Sequence, residues 1–330
     1  MKNKNKKLGL PSAIAVCVGQ IVATSALLSL ANGVGLAGNN FFIPLAIVLV
    51  LNCFVALSFG ELHRLMPEVD GGLGQYTLVG LGPVASIISN ISAYVITMIF
   101  ATSIELAMLG SVFHEFFPNI PAVIFSVITL LIIAGLNFMG TDIFSKTQNL
   151  VVAILIGSMI ILGAIGCFKL GIGNVISTTE QTAPSVTGLG IFSLSATAFW
   201  LFIGCEFVIP VAKELKNPKR DVLLSMILGL VLLFFVQIIM GTGMQNYVDR
   251  DILATSDIPH MIYAENLLGN IGKIWIAIVA LCAGISTLNA ILPCSARVLM
   301  GMAEENMMPK IFSKTNRKGI PYIGICLIAI

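Results

Sequence analysis

Residues 199–206 read Phe199-Trp200-Leu201-Phe202-Ile203-Gly204-Cys205-Glu206, and Pro210 follows shortly after. The stretch closes an interval, Gln181–Cys205, that contains no Asp, Glu, Lys or Arg. Its length and apolarity suit a membrane-crossing helix, which needs about 20 mostly apolar residues. Yet Gly204 and Pro210 weaken a helix, and Glu206 puts an ionisable group where hydrocarbon is expected. In lipid, backbone N–H and C=O groups must be satisfied within the helix unless the interruption lines a cavity. The segment therefore predicts a breakable span beside a polar interior.

The rest of the chain supports a membrane setting. Of 330 residues, 57% are hydrophobic and 10% are charged, against about 25% charged in soluble domains. A mean hydropathy of +0.98 excludes a cytosolic enzyme, a nucleic-acid binder and a disordered chain. A membrane enzyme, a channel or a carrier remains.

Charge-free intervals also occupy Leu8–Gly60, Gly71–Ile104, Phe116–Thr141, Thr147–Phe168, Val222–Val248 and Ile274–Ala296. The first is long enough for two spans, with a turn near Gly35–Asn40. Eight spans are expected near 12–36, 41–66, 83–112, 120–138, 147–169, 189–212, 222–247 and 273–303. A ninth begins at Ile320 and reaches Ile330, and 11 residues cannot cross a bilayer. The expectation is a chain cut off inside its ninth helix, which by itself would not transport.

Lys and Arg set the orientation. With a cytoplasmic N-terminus, Lys2, Lys4, Lys6, Lys7, Arg64, Lys146, Lys213, Lys216, Lys219, Arg220, Arg297, Lys310, Lys314, Arg317 and Lys318 fall inside. Only Lys169, Arg250 and Lys273 fall outside, a split of 15 to 3. The apolar run after Lys7 is too long for a signal peptide's core, so it reads as an uncleaved first span. Cys17, Cys53, Cys167, Cys205, Cys282, Cys294 and Cys326 lie in spans without paired spacing, as small packing residues do. His63, His114 and His260 fall on separate segments, and no metal or hydrolase signature is visible. No cofactor and no nucleic acid are expected.

A second breakable span reads Val18-Gly19-Gln20-Ile21-Val22-Ala23-Thr24-Ser25-Ala26. The two interruptions fall in the first and sixth spans, the opening helices of two five-helix halves. Matching interruptions of this kind point to an inverted-repeat carrier with its site at the midplane. The expected organisation is a first repeat over 1–170, an extracellular connection over 171–188 and an incomplete second repeat over 189–330.

On these residues the sequence resembles the amino acid–polyamine–organocation superfamily, with its leucine-transporter-like fold. Its members carry an aromatic followed by Gly-x-Glu in the sixth helix, then an Asn-Pro-Lys/Arg-Arg loop. Phe199 to Glu206 and Lys216-Asn217-Pro218-Lys219-Arg220 are similar to that pattern. Glu61-Leu62, Pro67, Gly71-Gly72 and Tyr76 form a second match, and Ala303-Glu304-Glu305-Asn306-Met307-Met308-Pro309 a third. The resemblance implies an all-helical inverted-repeat bundle with helices 1 and 6 broken. It also implies secondary transport of amino acids, cationic ones among them, across the cell membrane by a symporter or antiporter. An amine or polyamine carrier, or a membrane sensor that binds without moving its ligand, is the alternative.

The resemblance places a substrate carboxylate on free amides at Ala23, Thr24 and Ser25, although both glycines usual there are absent. It makes Trp200, beside Phe202 and Ile203, the aromatic that closes over substrate. Aromatics also fill helix interfaces without any such role. Glu206 matches a glutamate that links the two broken helices and senses protons; the alternative is a protonated side chain bonded to a neighbouring span. Glu105 lies in span 3 with Thr102 on the same face. It sits either deep in the span or in its outer third, facing a water-filled vestibule. Ala283, Ser286 and Thr287 share one face of span 8 and resemble a sodium site of related carriers, though such hydroxyls often bond their own helix. The partners implied are an amino acid or amine, H+ or Na+, and the lipid bilayer. Cationic ligands are expected to outcompete acidic ones.

Overall fold

The computed structural model describes residues 8–67, 72–139, 141–176 and 184–329, the side chains of 141–143 excepted. Lys2, Lys4, Lys6 and Lys7 of the orientation argument, Gly71 of the second motif and Ile330 lie outside them. Among the described residues the chain is helical, without strands.

Helix α1, Leu10–Ile21, has a proline in its first turn, where no backbone donor is lost. It stops because Val22 (φ −86°, ψ 77°) and Ala23 (φ −84°, ψ 166°) leave the helical region, and α2, Thr24–Ala37, then begins. Gly38, at φ +59°, turns the chain through a 3₁₀ segment into α3, Phe42–Leu65. Helices α4, Leu73–Leu81, and α5, Pro83–Ile91, follow. A π-helical turn, Ser92–Ile96, joins α5 to α6, Thr97–His114. Helices α7, Ala122–Phe138, and α8, Thr141–Cys167, complete the first part.

The segment whose reading opened the argument is interrupted. A 3₁₀ turn, Gly188–Leu194, leads into the short α9, Ser195–Trp200. The chain then turns through Gly204, at φ +115°, into a 3₁₀ stretch, Cys205–Glu214, that contains Pro210. Helix α10, Pro218–Tyr247, and the short α11, Arg250–Thr255, precede α12, Pro259–Glu304. Helix α12 kinks at Leu268 and Gly269, so helix begins well before the expected start at 273. A final helix, α13, covers Tyr322–Ile328.

Burial explains the layering. Every residue of α1 from Ala15 to Ile21 is buried, and the stretch Gly284, Ser286–Leu299 of α12 is buried too. A helix apolar on all sides belongs inside the bundle. By contrast α3 exposes Ile43, Val50 and Phe54, and α7 exposes Val123, Ile128 and Leu131. Large apolar side chains turned outward over whole helices suit lipid. Among the described residues six tracts are long and apolar enough to cross a membrane: Thr24–Leu65, Pro83–His114, Phe144–Cys167, Gly188–Glu214, Pro218–Tyr247 and Pro259–Glu304. The expected spans near 12–36 and 120–138 differ from these for physical reasons. The first is divided at Val22–Ala23, leaving α1 with 12 residues, and α7 has 17.

The two interrupted segments are tied together. Leu8 N–H donates to the Glu214 carbonyl and Lys216 N–H to the Leu8 carbonyl, both at 2.8 Å. This parallel bridge holds the entry to α1 against the exit of the second interruption.

Candidate functional site

A cavity of about 90 Å³ opens where the two interruptions meet. Its lining includes Gln20, Ala23, Ser25, Glu105, Trp200 and Thr287. Each comes from a chain end or a helix face fixed by the breaks. Ala23 is the extended residue before α2, Trp200 is the last residue of α9, and Gln20 is in the last turn of α1.

Glu105 gives the site its chemistry. It is 1% exposed, so the carboxyl is shielded from solvent by the bundle. The Thr24 N–H donates to Glu105 Oε1 at 2.7 Å, and the Ser25 N–H lies 3.4 Å from Oε2. These are the first two amides of α2, donors that no helical carbonyl can reach. A carboxylate at a helix N-terminus is also favoured by the dipole. The amides of Thr24 and Ser25, expected to be free for a substrate carboxylate, face Glu105 instead. The break lies at Val22–Ala23, and Thr24 and Ser25 already belong to α2. Because φ at Val22 and Ala23 is negative, ordinary residues make this break and glycine is not required.

The residues expected from sequence separate into groups. Ala23, Ser25, Glu105, Trp200, Ile203 and Thr287 share the cavity. Phe202 does not line it; it is fully buried in the apolar core. Thr102 is 3% exposed, also outside the lining, and its hydroxyl has no partner among the described residues. Thr24 contributes its amide to Glu105 and its hydroxyl to the Ala280 carbonyl, at 3.1 Å. Its side chain lines a neighbouring cavity with Ser111, Asp257 and His260. Glu206 is partly buried, with the Tyr94 hydroxyl 3.5 Å from its Oε1.

Ser286 and Thr287 meet α1, and Ala283 is fully buried on the same helix. The hydroxyls of Ser286 and Thr287 both donate to the Gly19 carbonyl at 3.1 Å. Gln148 Nε2, from α8, donates to Ser286 Oγ at 2.9 Å and to the Ala15 carbonyl at 3.2 Å. Asn289 in turn donates to Gln148 Oε1 at 2.9 Å. An amide nitrogen thus occupies the ground between these oxygens, and Gly19 leaves room for it. A Cβ there would collide with Gln148 Nε2 and Ser286 Oγ.

Gln148, Gln20 and His260 were not picked out from sequence. Gln148 follows Lys146 closely and reads as the edge of a span. Gln20 was visible inside the first interruption but carried no charge. His260 is fully buried, and neither ring nitrogen has a partner among the described residues, a property that no sequence pattern encodes.

The apolar outer face, the multiple spans and the two interruptions around a buried carboxyl define a multi-pass membrane protein with a carrier-type bundle. A solved structure shares the fold: an outward-open, substrate-bound Na+-coupled sialic acid symporter, at a TM-score of 0.70 and 11% identity. That likeness covers 98% of this chain and 72% of the symporter chain. Residues 12–330 match the amino acid permease family, and the chain belongs to it. Two relatives come from Lactococcus lactis subsp. cremoris. The lysine-specific permease LysP is 24% identical over 292 residues, 82% of this chain and 57% of that protein. The histidine permease HisP is 27% identical over 297 residues, 84% of this chain and 62% of that protein. The chain thus spans about three-fifths of the length of these curated relatives.

Proposed function

We propose that the protein is a secondary carrier that moves amino acids or related amines, cationic ones among them, across the cell membrane by alternating access. The observation that carries this reading is the cavity at the two interruptions, lined by Glu105, Ser25 and Trp200. Broken helices free backbone groups for a ligand at mid-membrane, where continuous helices offer none. On this reading 1–170 and 189–330 are the inverted repeats and 171–188 is the extracellular connection. Segments α1–α2 and 189–214 are the broken helices 1 and 6. The N-terminus is cytoplasmic, as the distribution of Lys and Arg supports. Trp200 closes over the ligand. Glu206, beside the Gly204 turn, couples the movement of the two broken helices to protons. The named relatives, a lysine-specific and a histidine permease, support a substrate of the amino acid class. No catalytic chemistry is assigned.

Sodium coupling is the second reading, favoured by the convergence of the Ser286 and Thr287 hydroxyls on the Gly19 carbonyl. A sodium ion there would have to displace the Gln148 amide. Both readings are tested with the full-length protein, by uptake of radiolabelled amino acids and amines into proteoliposomes under imposed proton or sodium gradients. Accumulation driven by a gradient is the expected result. Ligand binding without flux under either gradient would leave a sensor and overturn the carrier.

A further inference from the structure

We propose that the cavity takes primary amines that lack a carboxylate, because Glu105 already occupies the first two amides of α2, where a ligand carboxylate would be held. The inference rests on the reading of this cavity as the ligand site.

A ligand carboxylate is held most strongly by cationic side chains or by free backbone N–H groups at a helix N-terminus. Among the residues lining the cavity there is no Lys, Arg or His. Gln20, Ser25, Thr97 and Trp200 offer neutral donors, and the feature with a positive dipole is the N-terminus of α2, a helix of 14 residues with no side-chain cap of its own. Its first two amides face Glu105: Thr24 N–H bonds Oε1 at 2.7 Å and Ser25 N–H lies 3.4 Å from Oε2. One carboxylate, each oxygen toward one amide, is the arrangement a bound ligand carboxylate would itself adopt. Glu105 reaches this place from α6, 81 residues away in sequence, and is 1% exposed. A substrate carboxylate would therefore have to expel a buried carboxylate from the same two donors. It would also bring a second negative charge beside the first.

A ligand ammonium meets the opposite situation. The positive end of α2 is answered by Glu105, and the carbonyl-bearing end of α1 faces the same break, where the dipole favours a cation. Each Glu105 oxygen keeps lone pairs for further donors. Trp200 lines the same cavity, and an indole attracts a cation that settles over it. Ile21, Met98, Ile104, Ile203 and Ile291 complete a lining that suits an apolar body.

The test compares amino acids with their decarboxylated partners: leucine with isoamylamine, histidine with histamine, and lysine with cadaverine. Affinities are measured by isothermal titration on the purified full-length protein. In the wild type we expect the amine to bind at least tenfold more tightly than its parent in at least one pair, and no parent to win. Glu105→Gln, which keeps the shape and removes the charge, should weaken that amine at least tenfold. Glu105→Ala uncovers the amides of Thr24 and Ser25 and should move the preference back toward the parent amino acid. Parents that bind as tightly as their amines in the wild type would overturn the inference while leaving the carrier reading intact. An amine-to-parent ratio unchanged in both variants would overturn it as well. A folded wild type that neither binds nor transports any of the six compounds would overturn the carrier reading and this inference together. Should the Glu105 variants not fold, the wild-type ratios alone decide.

Discussion

Gly204 and Gln20 hold the two interrupted segments against each other. A Cβ on Gly204 would lie 2.5 Å from Gln20 Cγ, and Gly204 has φ +115°, a conformation L-residues rarely adopt. The turn that ends the α9 segment is therefore seated on the last turn of α1. The two breaks form one structural unit, with the cavity beside it.

Gly204→Ala is expected to lower stability by about 2 kcal/mol, combining left-handed backbone strain with overpacking. Thermal unfolding in detergent measures this. Pairing it with Gln20→Ala should relieve the packing component and leave the backbone component. Equal melting temperatures for wild type and Gly204→Ala would show that the contact constrains nothing.

Ligand affinity is expected to be the same in sodium and in choline buffers, because the Gln148 amide sits among the oxygens a sodium ion would need. Gln148→Ala removes that donor and should leave Ser286 without one of its partners, lowering the melting temperature. A tenfold loss of affinity on removing sodium from the wild type would favour the sodium reading instead.

Glu206→Gln is expected to flatten the pH dependence of ligand binding. The side chain adjoins the Gly204 turn and lies 3.5 Å from the Tyr94 hydroxyl, so a change in its charge alters how the break is held. Binding isotherms across a pH series decide this. An unchanged profile would make the residue structural only.

Glu214 and Arg297 form an ion pair at 2.6 Å, joining the end of the second interruption to α12, with side-chain exposures of 28% and 9%. Glu214→Gln should cost roughly 1–3 kcal/mol, because a largely buried guanidinium loses its counter-charge. Combining it with Arg297→Met should restore part of that loss, a coupling that a double-mutant cycle of thermal melts reads directly. Strict additivity would show that the pair contributes nothing specific.

Ligand binding is expected to change the emission of Trp200, which lines the cavity, and not that of Trp275, which bonds Ser158 Oγ at 3.0 Å. Trp275→Phe should preserve the fluorescence change and Trp200→Phe should remove it. The reverse pattern would move the ligand elsewhere.

The sequence by itself determined that this is a membrane bundle interrupted near residues 22 and 204. It could do so because charge is so scarce in the spans that each polar residue or glycine stands out. Glu105, Glu206 and Trp200 were conspicuous for that reason. What the sequence left open was which way each faces and what it meets. Apolar helices buried on all sides show little periodicity, so the helix period does not choose a neighbour. Glu105 meets Thr24 across 81 residues, and Gln148 meets Ser286 across 138. Phe202, four residues from Glu206, turned into the core, while Ile203 beside it lines the cavity. Only the packed tertiary structure decided these pairings. In lipid, a polar group must find its partner within the protein, and partners so distant in sequence come together only when the helices pack.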